Sequence, residues 1–177
     1  MSKSQIATGG IADDAVTAAK VTGLGKIAQI VQTVKTDTFT TSSASLVDVT
    51  GFSVAITPSA TSSKVLVVVN VGMIANNQAS GSMIALLRDS TVLTKSSAGG
   101  SAQTNNAWNA GGGGGMDDNG RKFNSPSISF LDSPSSSSSL TYKCQMAING
   151  GTAYFNRWEV NNDMAAVSTI TVMEVLA

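Results

Sequence analysis

Residues 63–75, S-K-V-L-V-V-V-N-V-G-M-I-A, decide the fold, because they are the most apolar candidate strand in the chain. Valine and leucine occupy both alternating sets of positions in this run. Both faces of such a strand are apolar, which is typical of a central strand between packed layers. The run therefore predicts a β-strand in the middle of a sheet.

Apolar and polar residues alternate with a period of two from about residue 29 onward, which predicts further strands. Asn149-Gly150-Gly151 is the strongest hairpin signal in the sequence. About eight antiparallel strands with almost no helix predict an all-β head over 29–177, most simply a jelly-roll-like β-sandwich. An immunoglobulin-like strand order stays open. The other predicted strands lie in 29–39, 46–57, 82–94 (two short strands around Arg88-Asp89-Ser90), 127–134, 140–148, 152–160 and 168–177.

The alternation is interrupted by a Gly/Asn/Ser-rich loop over 95–125. Long loops in compact domains are usually functional or disordered. Exposed aromatic side chains can stack on sugars or anchor a protein contact, so Trp108 and its neighbours Asn105 and Asn106 are the candidate contact residues of this loop. The alternative is that Trp108, Met116 and Phe123 pin the loop onto the sandwich or a neighbouring subunit.

Residues 1–28 differ from the head and predict an extended N-terminal attachment arm with at most one short helix, at residues 13–20. Spaced apolar residues in so short a segment find no partners within it and need another chain for their burial. A disordered tail is the alternative. The candidate attachment residues are Ile6, Ile11, Val16 and Val21.

The composition argues against most enzyme classes. Charged residues make up 12% of the chain, 11 basic and 11 acidic residues cancel, and histidine is absent. Histidine is the commonest general base and the commonest transition-metal ligand, so its absence removes both roles. The sequence also lacks a run of basic residues, which argues against a nucleic-acid-binding surface. We expect no catalytic residues, no cofactor and no metal.

The remaining chemical features do not indicate a catalytic or ligand-binding site. Gly111–Gly115 lacks the context of a phosphate-binding loop, and Asp117-Asp118-Asn119-Gly120 is read as a turn rather than a calcium loop. The single cysteine, Cys144, is expected to be a buried, inert residue. Glycosidase carboxylates would have to come from Asp132, Glu159, Asp163 or Glu174, and no acid–nucleophile pair is evident among them.

Two parts of the sequence resemble phage proteins. S-Q-I-A-T-G-G-I-A-D-D-A-V-T-A-A-K-V (4–21) resembles segments that are common in phage tail fibres and other virion proteins. The run 36–71, followed by A-L-L-R-D-S-T, S-F-L-D-S-P and L-T-Y-K, resembles small structural proteins of marine and cyanobacterial phages. The resemblance implies a homotrimeric β-rich head with an N-terminal attachment segment.

The sequence thus favours a virion protein, and first a short trimeric tail fibre that presents its head to the host surface. A capsid decoration (cement) protein is the alternative, and a glycan-binding or glycan-cleaving module is a distant third. The expected partners are its own copies, tail or baseplate proteins (alternatively the major capsid protein), and a host surface glycan or protein. No signal peptide or spanning helix is visible, so we expect assembly in the host cytoplasm without membrane insertion.

Overall fold

In the computed structural model, residues 26–76, 81–94, 109–110, 122–158 and 165–176 are described. These residues form thirteen β-strands and no helix. The strands are β1 (Lys26–Lys35), β2 (Phe39–Thr41), β3 (Val47–Ile56), β4 (Lys64–Asn70), β5 (Ile74–Asn76), β6 (Ser82–Arg88), β7 (Thr91–Val92), β8 (Asn109–Ala110), β9 (Lys122–Asn124), β10 (Ser127–Asp132), β11 (Leu140–Ile148), β12 (Ala153–Phe155) and β13 (Ser168–Leu176).

The strands are arranged in three antiparallel sheets. Sheet A has the order β1-β13-β4-β10, and sheet B has the order β2-β12-β5-β9. Sheet C has the order β3-β11-β6-β7, with β8 also paired to β6. The prediction of an all-β fold is confirmed, whereas the jelly-roll strand order stays a prediction.

The core lies between sheets A and C, where side chains from the inner faces of both sheets meet. Sheet A contributes Val65, Val67 and Val69 of β4, which are fully buried. Sheet B supplies Phe155, whose ring packs against Phe52 of β3 with centroids 5.2 Å apart. Burial of these apolar side chains is the main stabilising contribution to a β-sandwich.

The run that decides the fold does form a central strand, since β4 pairs with β13 on one side and β10 on the other. Two details differ from the prediction. The strand stops at Asn70, and the chain continues in β5 of another sheet after a break that contains Gly72. Furthermore, Leu66 and Val68 on its outer face remain partly exposed, so no second layer covers them fully.

Of the two predicted turns, one is confirmed and the other is wrong. β6 and β7 pair as a hairpin around Asp89, whose φ is 51°. Gly150 and Gly151 do have positive φ values of 96° and 79°, but β11 and β12 do not pair with each other. Instead β12 pairs with β2 and β5, so the turn carries the chain from sheet C to sheet B.

The predicted arm is represented in the described residues only by its last three positions. β1 begins at Lys26, and residues 1–25 lie outside the described residues, together with Ile6, Ile11, Val16, Val21 and the predicted helix at 13–20. In the fold itself, Lys26 pairs with Leu176 of β13.

Candidate interaction surface

The candidate host-contact residues of the glycine-rich loop, Asn105, Asn106 and Trp108, also lie outside the described residues. The chain is described again at β8, immediately after Trp108, where it pairs with Met83 and Ile84 of β6. The same is true of Met116, the turn at 117–120, Glu159 and Asp163, which are not among the described residues.

Asp132, considered above as a glycosidase carboxylate, has a structural role at the end of β10. Its Oδ2 accepts hydrogen bonds from Arg88 Nη1 at 2.6 Å and from the Tyr142 hydroxyl at 2.7 Å. Asp132 belongs to sheet A, whereas Arg88 and Tyr142 belong to sheet C. Burial, helped by the hydrogen bond to Asp132, raises the pKa of Tyr142, so its hydroxyl keeps the proton that it donates.

Glu174 of β13 is fully buried, and neutral donors surround its carboxylate. Oε1 accepts hydrogen bonds from the backbone nitrogen of Ser59 (2.7 Å) and from the hydroxyls of Ser59 (2.6 Å) and Ser63 (2.7 Å). Oε2 accepts one from Gln29 Nε2 at 2.7 Å. Burial acts to raise the pKa of this carboxyl, but the hydrogen bonds from Ser59, Gln29 and Ser63 outweigh it and lower the pKa to about 2.

Asp132 and Glu174 are both in register with Val65, so they lie on the two strands that flank β4. A glycosidase needs one carboxyl that holds a proton and a second that faces the substrate. Glu174 is instead an ionised group surrounded by donors, and Asp132 is occupied by a tyrosine and an arginine. Both carboxylates therefore stabilise the fold, and their geometry offers no acid–nucleophile pair.

The strand predicted over 152–160 would place Tyr154 and Trp158 on one face and Arg157 on the other. The structure corrects this, because β12 ends at Phe155 and Asn156 has a φ of 59°. The left-handed residue breaks the alternation and brings the Arg157 guanidinium over the Tyr154 ring, 4.8 Å from its centroid. All three side chains are half-buried. This burial is more typical of residues that pack within the protein than of an exposed surface that binds a ligand.

Asn156 is held in this conformation by its own hydrogen bonds. Its fully buried side chain donates from Nδ2 to the backbone oxygens of Lys35 and Asp37, and its Oδ1 accepts from the Ser168 hydroxyl. One residue thereby joins the end of β1, the end of β12 and the start of β13. The sequence gives only a weak signal for a buried asparagine that joins these strand ends, since Asn within a strand-like run is usually interpreted as an exposed polar position.

A groove that includes Asp48, Ser53 and Lys143 in its lining lies on the outside of sheet C, where β3 bulges. Ser53 pairs with Lys143 and Asp48 pairs with Gln145, so the four residues 49–52 stand opposite Cys144 alone. Gly51, with a φ of 75°, permits the bulge. Asp48 in the groove already accepts hydrogen bonds from Lys143 and Gln145, which leaves little to hold a ligand. Cys144 itself is fully buried, as predicted, and its burial raises the pKa of the thiol.

The outer face of sheet A differs from all these sites, because its apolar side chains point away from the core. Directly paired residues of neighbouring strands share a face. One apolar row, Ile30–Met173–Leu66–Leu131, therefore crosses all four strands of the sheet. The next row along the strands is Gln32–Thr171–Val68–Ser129, and beyond it lies Val34–Thr169–Asn70–Ser127. On the other side, Ile27 pairs with Val175 and Val175 with Lys64.

This outer face of sheet A exposes apolar surface to a degree unusual for a strand face. Ile30 is 60% exposed, and Val34 and Leu131 are each 50% exposed. Among the described residues, five large apolar side chains are classed as exposed, and all but Val167 lie on this face. Large apolar patches on proteins commonly mark interaction sites. Its polar members are hydroxyls and amides, and its only charged residue is Lys64 at one corner.

The sequence carried only a partial signal for this face. Isoleucine and valine at positions 27, 30 and 34 of β1 face outward, whereas Gln29, Val31 and Lys35 face inward. Gln29 bonds to Glu174 and Lys35 to Asp37, while Val31 packs against the core. Because β1 carries apolar residues on both faces, periodicity alone does not show which of its faces is exposed.

Within the described residues, no group of three or more metal-ligating side chains occurs, and no helix is long and apolar enough to cross a membrane. The chain matches none of the protein-family models and none of the curated proteins with which it was compared.

Proposed function

We propose that this chain is a structural component of a phage particle: a short trimeric tail fibre that attaches through residues 1–28 and presents its β-head to the host surface. The exposed apolar outer face of sheet A carries the proposal, because such a face is stable in an assembly and is a liability in an isolated protein. The resemblance of residues 4–21 and 36–71 to virion proteins is the reason for proposing that this assembly is a phage particle.

The chemistry of the described residues supports a non-enzymatic role. The candidate catalytic carboxylates Asp132 and Glu174 are both buried and bound to several donors. The buried hydrogen-bond networks around them stabilise the contact between elements, which a protein exposed to the exterior of a particle requires.

Localisation on the particle tests the proposal. Antibodies against the head, coupled to gold, are applied to purified phage particles whose genome encodes this chain. We expect label at the tail end of the particle. Label on the shell would instead support the alternative function of a decoration (cement) protein. Particles that lack the protein would contradict any function in the virion.

A second assay addresses the glycan-cleaving alternative. The purified chain is incubated with polysaccharide from the host surface, beside variants Asp132→Asn and Glu159→Gln. We expect no release of reducing ends from any of the three. Cleavage by the native chain that either substitution abolishes would overturn the non-enzymatic proposal.

A further inference from the structure

We propose that the outer face of sheet A is the surface through which copies of this chain bind one another. The proposal rests on the proposed function in one respect, namely that copies of the chain assemble. It adds the surface through which they do so. It follows from three properties of the face: its apolar row, the kind of polar groups beside that row, and its size.

The apolar row runs through the face from one edge of the sheet to the other. Ile30 stands on the edge strand β1 and Leu131 on the opposite edge strand β10, both at least half exposed. Met173 and Leu66 fill the row between them and are partly exposed. When such faces meet around the threefold axis of the proposed trimer, the apolar rows of the three copies can pack against one another and leave water.

The polar groups of the face suit a second copy better than a foreign partner. Thr171 is buried, and its hydroxyl already accepts a hydrogen bond from Gln32 Nε2. The accessible amides and hydroxyls belong to Gln32, Ser129, Asn70, Thr169 and Ser127. Each of these groups both donates and accepts hydrogen bonds, so it can pair with the same group of another copy. A charge facing its own copy is repelled, and the face lacks charges except at Lys64 on its corner.

The size of the face fits a contact between copies. Four strands about 4.8 Å apart and the seven residues of β4 rising about 3.4 Å each give a flat area of roughly 450 Å². Burial of the face thus removes roughly 450 Å² of each copy from water before the relief of the side chains is counted, slightly less than the roughly 500 Å² per partner of the smallest specific interfaces. β1 lies at the edge of the sheet, so contacts at that edge can add to the area.

The first test is the mass of the full chain in solution, measured by light scattering at micromolar concentration. The double variant Ile30→Lys, Leu131→Lys places two charges in the apolar row at positions that are already exposed. The matched control, Thr40→Lys with Ala55→Lys, adds two charges at exposed positions of sheets B and C. We expect the native chain and the control to be oligomeric and the double variant to be monomeric.

The second test does not depend on how well the lysine variant folds. Cys144 is fully buried, so a new thiol on the surface reacts alone with a maleimide. Leu131→Cys is compared with Ala55→Cys, each in the full chain. We expect the thiol at 131 to react at least about tenfold more slowly than that at 55, because it becomes accessible only when copies separate.

Each other outcome overturns the proposal. A monomeric native chain with a reactive thiol at 131 leaves the face uncovered, and a monomeric chain with a protected thiol means that its own residues, such as 1–25, cover it. An oligomer that persists in the double lysine variant is joined elsewhere. These readouts are independent of the particle experiment, so a monomer found on tails would contradict the interface and leave the proposed function standing.

Discussion

Gly72 lies where the chain leaves β4 and passes the residues that lead into β13. A Cβ at this position would lie 2.5 Å from the Val167 carbonyl oxygen and 2.9 Å from the Val167 nitrogen. Its own backbone nitrogen donates to Ser168 Oγ, and its carbonyl oxygen accepts from Ser125 Oγ. The absence of a side chain at this residue is what allows two segments to touch through their backbones.

We therefore expect Gly72→Ala to lower the free energy of unfolding by about 1–3 kcal/mol, as overpacking does in other cores. The atoms in the way are two backbone atoms of Val167 and the Cβ of Ala166, and none of them can rotate aside. Urea denaturation of both proteins at equal concentration measures the effect.

Gly51→Ala is the control, because its Cβ would meet only Lys35 Nζ, at 3.6 Å, and its cost comes from a φ of 75°. Asparagine tolerates positive φ, so Gly51→Asn should recover part of that loss and Gly72→Asn should recover none. Equal stability of Gly72→Ala and the native chain would contradict the steric explanation.

At the scale of elements, Glu174 joins three of them: β13, the start of β1 through Gln29, and the segment after β3 through Ser59 and Ser63. Because folding lowers the pKa of this carboxyl from an ordinary 4.5 to about 2, its ionised form stabilises the folded state. The stabilisation is complete above the unfolded pKa and is lost as the pH falls from about 5 towards 2.

Glu174→Gln should destabilise the chain by about 1–3 kcal/mol at pH 7, since the amide nitrogen that replaces Oε2 cannot accept the hydrogen bond from Gln29 Nε2. The difference from the native chain should shrink as the pH falls through that window. Urea midpoints at pH 7, 5 and 3 measure it, and Asp48→Asn, which removes a more exposed ion pair, should change stability by less than about 1 kcal/mol. A difference that is independent of pH would contradict the assigned role of the charge.

The strands themselves could be predicted from the sequence, because period-two alternation and β-branched residues act locally. The hairpin at Arg88-Asp89-Ser90 was predictable for the same reason. The turn at Gly150 and Gly151 was not, since two residues of positive φ bend the chain but do not specify which sheet it joins next. Likewise, Asn156 ends β12 through bonds to Lys35, Asp37 and Ser168, which are distant in sequence.

The candidate surface was only partly predictable. Apolar residues on both faces of residues 63–75 indicated that the strand needs neighbours on each side. Which face stays open depends on the pairing Ile30–Met173–Leu66–Leu131, and register between distant strands is not encoded in local alternation.

At the scale of the whole molecule, an interface made of apolar, hydroxyl and amide groups has a characteristic response to salt. Screening weakens contacts between charges and leaves apolar contacts intact. Raising the NaCl concentration from about 0.1 to 0.5 M should change the dissociation constant of the oligomer by no more than about twofold.

Sedimentation velocity over a dilution series measures this constant at both salt concentrations. The same series on Lys64→Ala is the control, because Lys64 is the only charge on the face and its removal should leave the salt response unchanged. A dissociation constant that rises tenfold or more with salt would instead indicate that charged groups hold the copies together.

The pairing of β1 with β13 has a mechanical consequence. Lys26 and Leu176 lie side by side, so a force that pulls these two ends apart acts along the hydrogen bonds and breaks them one after another. A different case is a pull applied through the residues before Lys26 while the outer face of sheet A is held in place. This force acts parallel to β1. The hydrogen bonds between β1 and β13 then share the load, and the head withstands far more tension in that direction.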